Sequence, residues 1–148
     1  MNPTTSNNQE CIHACNSLLR GELSAVETYN QAIEKFSGDA ACGELTRIRN
    51  EHTEAANKLR ANVISMGGEP STDSGAWGTF AKAIQGSANL FGETSALQSL
   101  QKGEEHGRND YERALDSGDV LPECKQMIRT ELLPKIRSHI AALERLEG

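Results

Sequence analysis

The chain has 148 residues, with 21 acidic against 15 basic side chains and a formal net charge of −6. Nucleic acid and anionic membranes both require a concentrated basic surface, so this balance argues against either as a partner. The start of the chain, Met1 to Glu10, has neither a basic cluster nor an apolar run, and no apolar stretch approaches the ~18 residues of a membrane span. The sequence therefore reads as a cytoplasmic protein without a signal peptide.

The length suits one compact domain over 1–148, large enough to bury about 70% of its unfolded surface. With only four prolines, abundant Ala, Leu, Glu and Gln and no alternating strand pattern, the fold class is all-α.

In chain order, residues 1–8 are expected to be a frayed N-terminus. The first helix is predicted from Asn8 to Phe36, ending at Ser37-Gly38-Asp39, where Gly38 supplies a left-handed cap and Asp39 caps the next helix. Its apolar stripe reads Ile12, Cys15, Leu19, Val26, Ile33 and Phe36, with Glu22 and Tyr29 in the two vacant places. The second helix runs to Met66 and stops at Gly67-Gly68-Glu69-Pro70. Leu45, Ile48, Ala55, Leu59 and Met66 bracket His52 on its apolar face.

Residues 68–93 form a crossover containing a shorter amphipathic helix with Trp77, Phe80, Ile84 and Phe91 on one side. That stripe packs on the bundle or docks a second copy or another protein, which leaves a homodimer open. The third helix covers Thr94 to Asp116, with Glu104 and Tyr111 among Leu100, Gly107 and Ala114. The fourth starts near Pro122 and runs to Leu146, with His139 among Ile128, Leu132, Ile136, Leu143 and Leu146. Pro134 should bend it or cost a hydrogen bond.

Each pair of long helices is joined by a tight Ser-Gly-Asp turn, so each pair is an antiparallel hairpin. The long linker can travel the length of the bundle, leaving helices two and three parallel. An internal repeat supports two equivalent halves: Gly21-Glu22 with Tyr29, Ala32 and Ile33 has the spacing of Gly103-Glu104 with Tyr111, Ala114 and Leu115.

Glu22, His52, Glu104 and His139 thus occupy positions meant for apolar side chains, one per helix. Ionisable groups are rarely buried unless paired or bound to metal. Counting from the turns puts Glu22 and His52 in one layer, within ~3 Å along the axis, and offsets Glu104 from His139 by up to ~8 Å. Two carboxylates and two imidazoles suit iron, manganese or zinc. Tyr29 and Tyr111 are placed to hydrogen-bond a ligand or a bound water. Without metal, Glu22–His52 and Glu104–His139 pairs would fix helix register.

The remaining chemistry is sparse. Among Cys11, Cys15, Cys42 and Cys124 there is no Cys-x-x-Cys motif, and Cys42 and Cys124 have no close partner in sequence. Cys11 and Cys15 share a helix face and read as packed thiols, with a soft metal or a redox pair as alternatives. His13, His106 and the arginines read as surface groups. No nucleophile elbow, phosphate loop or Cys-His dyad is present, and no small-molecule substrate is identifiable.

The Gly-Glu-x6-Tyr-x2-Ala helices, the Gly-Gly-Glu-Pro after helix two, the Trp-containing crossover and the repeated hairpin resemble an uncharacterised bacterial family of ferritin-like four-helix-bundle proteins. The resemblance spans about Gln9 to Leu146. In the wider superfamily, such as rubrerythrins and bacterioferritins, a di-iron site takes one Glu from helices one and three and a Glu-x-x-His from helices two and four. Glu22 and Glu104 match the lone glutamates, and His52 and His139 the histidines. Arg49 and Ile136 stand where the bridging glutamates belong, and Glu51 is turned about 100° around the helix from His52, so it is not expected to substitute. The resemblance therefore implies a mononuclear or vestigial metal site and not a di-iron oxidase. The expected function is divalent metal binding with a metal-handling or stress role. The alternative is a non-catalytic structural or interaction bundle with a metal-free polar layer.

Overall fold

The computed structural model describes residues 3–74 and 93–148. The expected short helix bearing Trp77, Phe80, Ile84 and Phe91 lies outside them. Every regular element among the described residues is a helix: α1 (Pro3–Lys35), α2 (Cys42–Ser65), α3 (Glu93–Asp116), α4 (Pro122–Met127), a π-helical segment (Ile128–Leu132) and α5 (Leu133–Glu147). None of these helices is long and apolar enough to cross a membrane.

α1 begins at Pro3, ahead of the expected Asn8. Proline suits a first helical position because its fixed φ is already helical and its missing N–H would be unpaired there anyway. Gly38 takes the left-handed conformation expected of it, with φ +92°. Asp39 does not cap the next helix. The turn runs on to Ala41, which precedes α2 without a side-chain cap, and the Cys42 thiol donates to the Phe36 carbonyl at 2.9 Å. The same carbonyl accepts the Asp39 amide at 3.0 Å, so the thiol adds a second bond that ties the start of α2 to the turn after α1.

α1 packs along α2, and α3 along α5, with further contacts between α1 and α3 and between α2 and α5. Cross-helix bonds give the directions. Cys15 meets Asn62, Glu22 meets His52 and Asn30 meets Arg49, so α1 and α2 run antiparallel. Glu104 meets His139 and Glu112 meets Arg137, so α3 and α5 do as well. Tyr29 bonds Glu104 while Tyr111 bonds Glu22, which makes α1 and α3 antiparallel and α2 and α3 parallel.

The start of the crossover explains how this topology closes. After Gly67, with φ +85°, the chain turns back along α1. Asn16 clasps it by donating to the Glu69 carbonyl at 3.0 Å and accepting from the Ser71 amide at 2.9 Å. Arg20 donates to the Ser71 hydroxyl at 3.0 Å, and Ser74 donates to Glu27 at 3.0 Å. From Asn16 to Glu27 the segment climbs about 17 Å of the helix axis.

The fourth rod is interrupted as Pro134 demands. Leu133 N–H donates to the Ile128 carbonyl, five residues back, which is the π pattern. Widening the turn ahead of Pro134 relieves the clash its ring would make with the carbonyl four residues earlier. Together with the turn at residues 117–121, it removes the predicted axial offset: Glu104 and His139 lie within 3.2 Å.

The buried apolar residues fall into two groups. One contains Cys15, Leu19, Leu59, Val63, Tyr111, Cys124 and Ile128; the other contains Tyr29, Leu45, Ile48, Leu100 and Leu143. Glu22, His52, Glu104 and His139 form the layer between them. Each fully buried aliphatic side chain contributes about 1.5–3 kcal/mol, so the apolar groups on either side hold the polar layer in register.

Candidate metal centre

The four predicted residues meet in the core, none more than 4 % exposed. His52 lies between two carboxylates. Its Nδ1 is 2.6 Å from Glu22 Oε2 and its Nε2 is 2.7 Å from Glu104 Oε2. His139 Nδ1 faces Glu104 Oε1 at 3.2 Å, and the two imidazole centroids are 4.7 Å apart. Glu104 therefore receives both histidines, one on each oxygen.

The tyrosines act crosswise between the halves. Tyr29 donates to Glu104 Oε2 at 2.9 Å, and Tyr111 donates to Glu22 Oε1 at 2.7 Å. The repeat thus appears as reciprocal bonds, each tyrosine holding the carboxylate of the other hairpin. Both act on protein carboxylates, where the sequence had suggested a ligand or a water.

Glu51, which has no part in the site on the sequence reading because it is turned about 100° from His52, reaches the other histidine: its Oε1 lies 2.8 Å from His139 Nε2. The rotation that removes it from the His52 face points it across the seam between α2 and α5, where His139 arrives. Arg47 at 3.1 Å and Lys135 at 3.4 Å hold its other oxygen. The signal available in the sequence was the antiparallel placement of α2 against α5, which brings position 51 opposite position 139. Ser138 occupies the repeat-equivalent position, so only one half supplies this extra carboxylate.

The electrostatics follow from burial and contact. Burial opposes a charge on His52, but Glu104 and Glu22 outweigh it and hold the imidazole pKa well above its ordinary value. Burial likewise opposes ionisation of Glu104. The charge of His52 and the bonds from both histidines prevail and bring its pKa down to about 2. For Glu51, burial is again the opposing influence, and the His139 bond leads those that keep it below the usual carboxylate range. Tyr29 and Tyr111 are pushed well above the normal phenol range, first by burial and then by the carboxylates they bond. They remain neutral donors.

His52, Glu104 and His139 can each offer one ligand atom, all within 4.8 Å of one another. The donor set fits a divalent cation: two imidazoles and a carboxylate converge, and each imidazole is anchored by a different carboxylate on its other nitrogen. Arg47 and Lys135 balance the outer carboxylate, Glu51, so Glu22 and Glu104 are the buried negative charges that a cation would offset. A cavity of about 80 Å³ lies alongside, lined in part by Glu22, Tyr29, His52, Gly103, Glu104 and Tyr111. It is large enough for several waters.

An all-helical protein with a buried Glu/His/Tyr layer able to hold a metal is the class these features define. Residues 10–117 match the family described as a domain of unknown function, DUF2383, and the chain belongs to that family. No curated protein and no solved structure matches. The matched span includes Glu22, Tyr29, Glu51, His52, Glu104 and Tyr111, while His139 lies beyond it.

Proposed function

We propose that this protein is a ferritin-like bundle that binds one divalent first-row metal ion, iron, manganese or zinc, through His52 Nε2, His139 Nδ1 and Glu104. One observation carries the reading. Each histidine turns one nitrogen toward Glu104 and has the other fixed by a separate carboxylate, Glu22 for His52 and Glu51 for His139. That is how metal-binding imidazoles are oriented and their basicity raised. Glu22, expected from the sequence as a ligand, is assigned here to orienting His52, and Tyr29 and Tyr111 to holding the carboxylates.

Bound at a two-histidine, one-carboxylate set, such an ion supplies Lewis acidity or, if iron or manganese, one-electron chemistry at its open positions. The role that fits is metal handling connected with stress; no reaction is assigned. Bridging carboxylates for a second ion are missing, since Arg49 bonds Asn30 and Asn50 and Ile136 is apolar core. A di-iron oxidase does not fit.

A second reading has its own support. The layer is internally satisfied without metal, since no buried side-chain atom in it lacks a hydrogen-bond partner among the described residues. A doubly protonated His52 between Glu22 and Glu104 would then serve as a structural ion-paired layer. Anaerobic calorimetric titration of chelator-treated protein with Fe(II), Mn(II) and Zn(II) separates the two. The metal-binding reading expects one equivalent for the native protein and none for Glu104→Gln or His52→Gln. Absence of uptake of all three ions by native protein would establish the structural layer instead.

A further inference from the structure

A second cluster of ligating side chains lies in the other section of the core. Cys11 and Cys15 project from one face of α1, and Cys124 enters from α4. Cys15 Sγ is 3.1 Å from Cys124 Sγ and 4.0 Å from Cys11 Sγ, and all three sulfurs lie within 4.8 Å of one another. All three residues are at most 2 % exposed. The sequence reading left Cys124 without a partner because its partners are more than a hundred positions away.

We propose that Cys11, Cys15 and Cys124 form a closed three-sulfur site for a soft monovalent d¹⁰ cation of the cuprous class. Thiolates select soft ions, and three sulfurs share one ion at ordinary metal–sulfur distances of about 2.3 Å when they stand about 4 Å apart, so Cys11 and Cys15 are already at that spacing and Cys124 would draw back from Cys15 as the ion enters. No fourth His, Cys, Asp or Glu joins the group among the described residues. A structural zinc site would call for four ligands, whereas three sulfurs can complete a trigonal cuprous site.

The surroundings support sulfur as ligand. Asn62 Nδ2 donates to Cys15 Sγ at 3.3 Å, and the Leu121 amide donates to Cys11 Sγ at 3.4 Å. N–H donors aimed at sulfur stabilise the negative charge a metal-bound thiolate carries. In the metal-free core, by contrast, the neighbouring Cys124 and then burial push the Cys15 pKa far up, so Cys15 stays a protonated thiol. Cation uptake therefore releases thiol protons to solvent while each Sγ–H bond is replaced by a sulfur–metal bond. No electron is transferred, and the site ties α1 to α4.

The test uses the full chain, reduced with a phosphine and titrated anaerobically with Cu(I) against a chromophoric cuprous chelator. One equivalent should bind, X-ray absorption of the native complex should show three sulfur neighbours, and thermal unfolding should shift upward. Cys15→Ser and Cys124→Ser should weaken uptake at least about 100-fold, the upper end of what losing an outer partner costs a metal site. Cys42→Ser and Glu104→Gln should not, which keeps this site separate from the Glu/His layer. No uptake by the reduced native protein would overturn the proposal, as would nitrogen or oxygen neighbours replacing sulfur. So would a phosphine-sensitive Cys15–Cys124 disulfide in isolated protein whose reduced form ignores copper. The absorption measurement needs no variant, so a misfolded serine mutant leaves the question decidable.

Discussion

The Tyr29 hydroxyl donates to Glu104 Oε2 at 2.9 Å, linking α1 of one hairpin to α3 of the other. Its repeat partner Tyr111 returns the same bond to Glu22 at 2.7 Å. Both phenols are buried, so each bond joins the two halves inside the core and its loss leaves a buried carboxylate one donor short. Tyr29→Phe should lower stability by about 1–3 kcal/mol and weaken metal binding roughly 10-fold or more. Tyr111→Phe should do likewise to stability, with a smaller effect on metal because its partner Glu22 acts through His52. Denaturant melts and metal titration of both variants check the ranking.

Glu51 is the carboxylate whose removal separates metal orientation from core burial. Its side chain is 18 % exposed, and Arg47 and Lys135 hold it from the solvent side. Glu51→Gln keeps an acceptor for His139 but removes the charge. Metal affinity should fall about 10- to 100-fold while the melting temperature of the metal-free protein changes little. A stability loss as large as that of Glu104→Gln would place Glu51 in the structural core instead.

Stability of the chelator-treated protein should fall at both ends of the pH scale. The Glu104 pKa is lowered from 4.5 in the unfolded chain to about 2 in the fold, so its contribution is present above pH 4.5 and is lost as pH drops toward about 2. The His52 pKa is raised well above 6.5, so its contribution is complete below pH 6.5 and is lost as pH rises through the higher folded value. Melting temperatures across the pH range should therefore show a plateau bounded by an acid and an alkaline decline. Metal loading replaces a proton on His52, so it should flatten the alkaline side.

Gly68 lets the crossover approach α1 closely. A Cβ there would come within 2.6 Å of Ile12 Cγ2, a branch methyl with little freedom to move away. Gly68→Ala should destabilise the protein by about 1–3 kcal/mol through overpacking. The pair Gly68→Ala, Ile12→Ala should recover part of that loss in equilibrium unfolding.

Much of this was visible in the chain. Glu22, His52, Glu104 and His139 were legible because polar residues interrupt a helical apolar period, and the Gly-Glu/Tyr repeat announced two matched hairpins. The crosswise tyrosine bonds were not, because the repeat says that halves correspond but not which side chain reaches across. Glu51 is not legible in this way, because its angle on α2 turns it from His52 while its partner, His139, sits on α5. The cysteine trio escaped for a related reason: Cys124 comes near Cys15 only once α4 folds against α1. The π segment was half visible, since Pro134 requires some distortion without specifying that a widened turn ahead of it will absorb the strain.

The central claim is that an ion sits between His52, His139 and Glu104. The most direct measurement is an anomalous scattering map from crystals of native protein loaded with Mn(II) or Zn(II). The account predicts one strong peak bounded by His52 Nε2, His139 Nδ1 and a Glu104 oxygen, absent from Glu104→Gln crystals. A featureless layer in the native map, or a peak that persists in the variant, would contradict it.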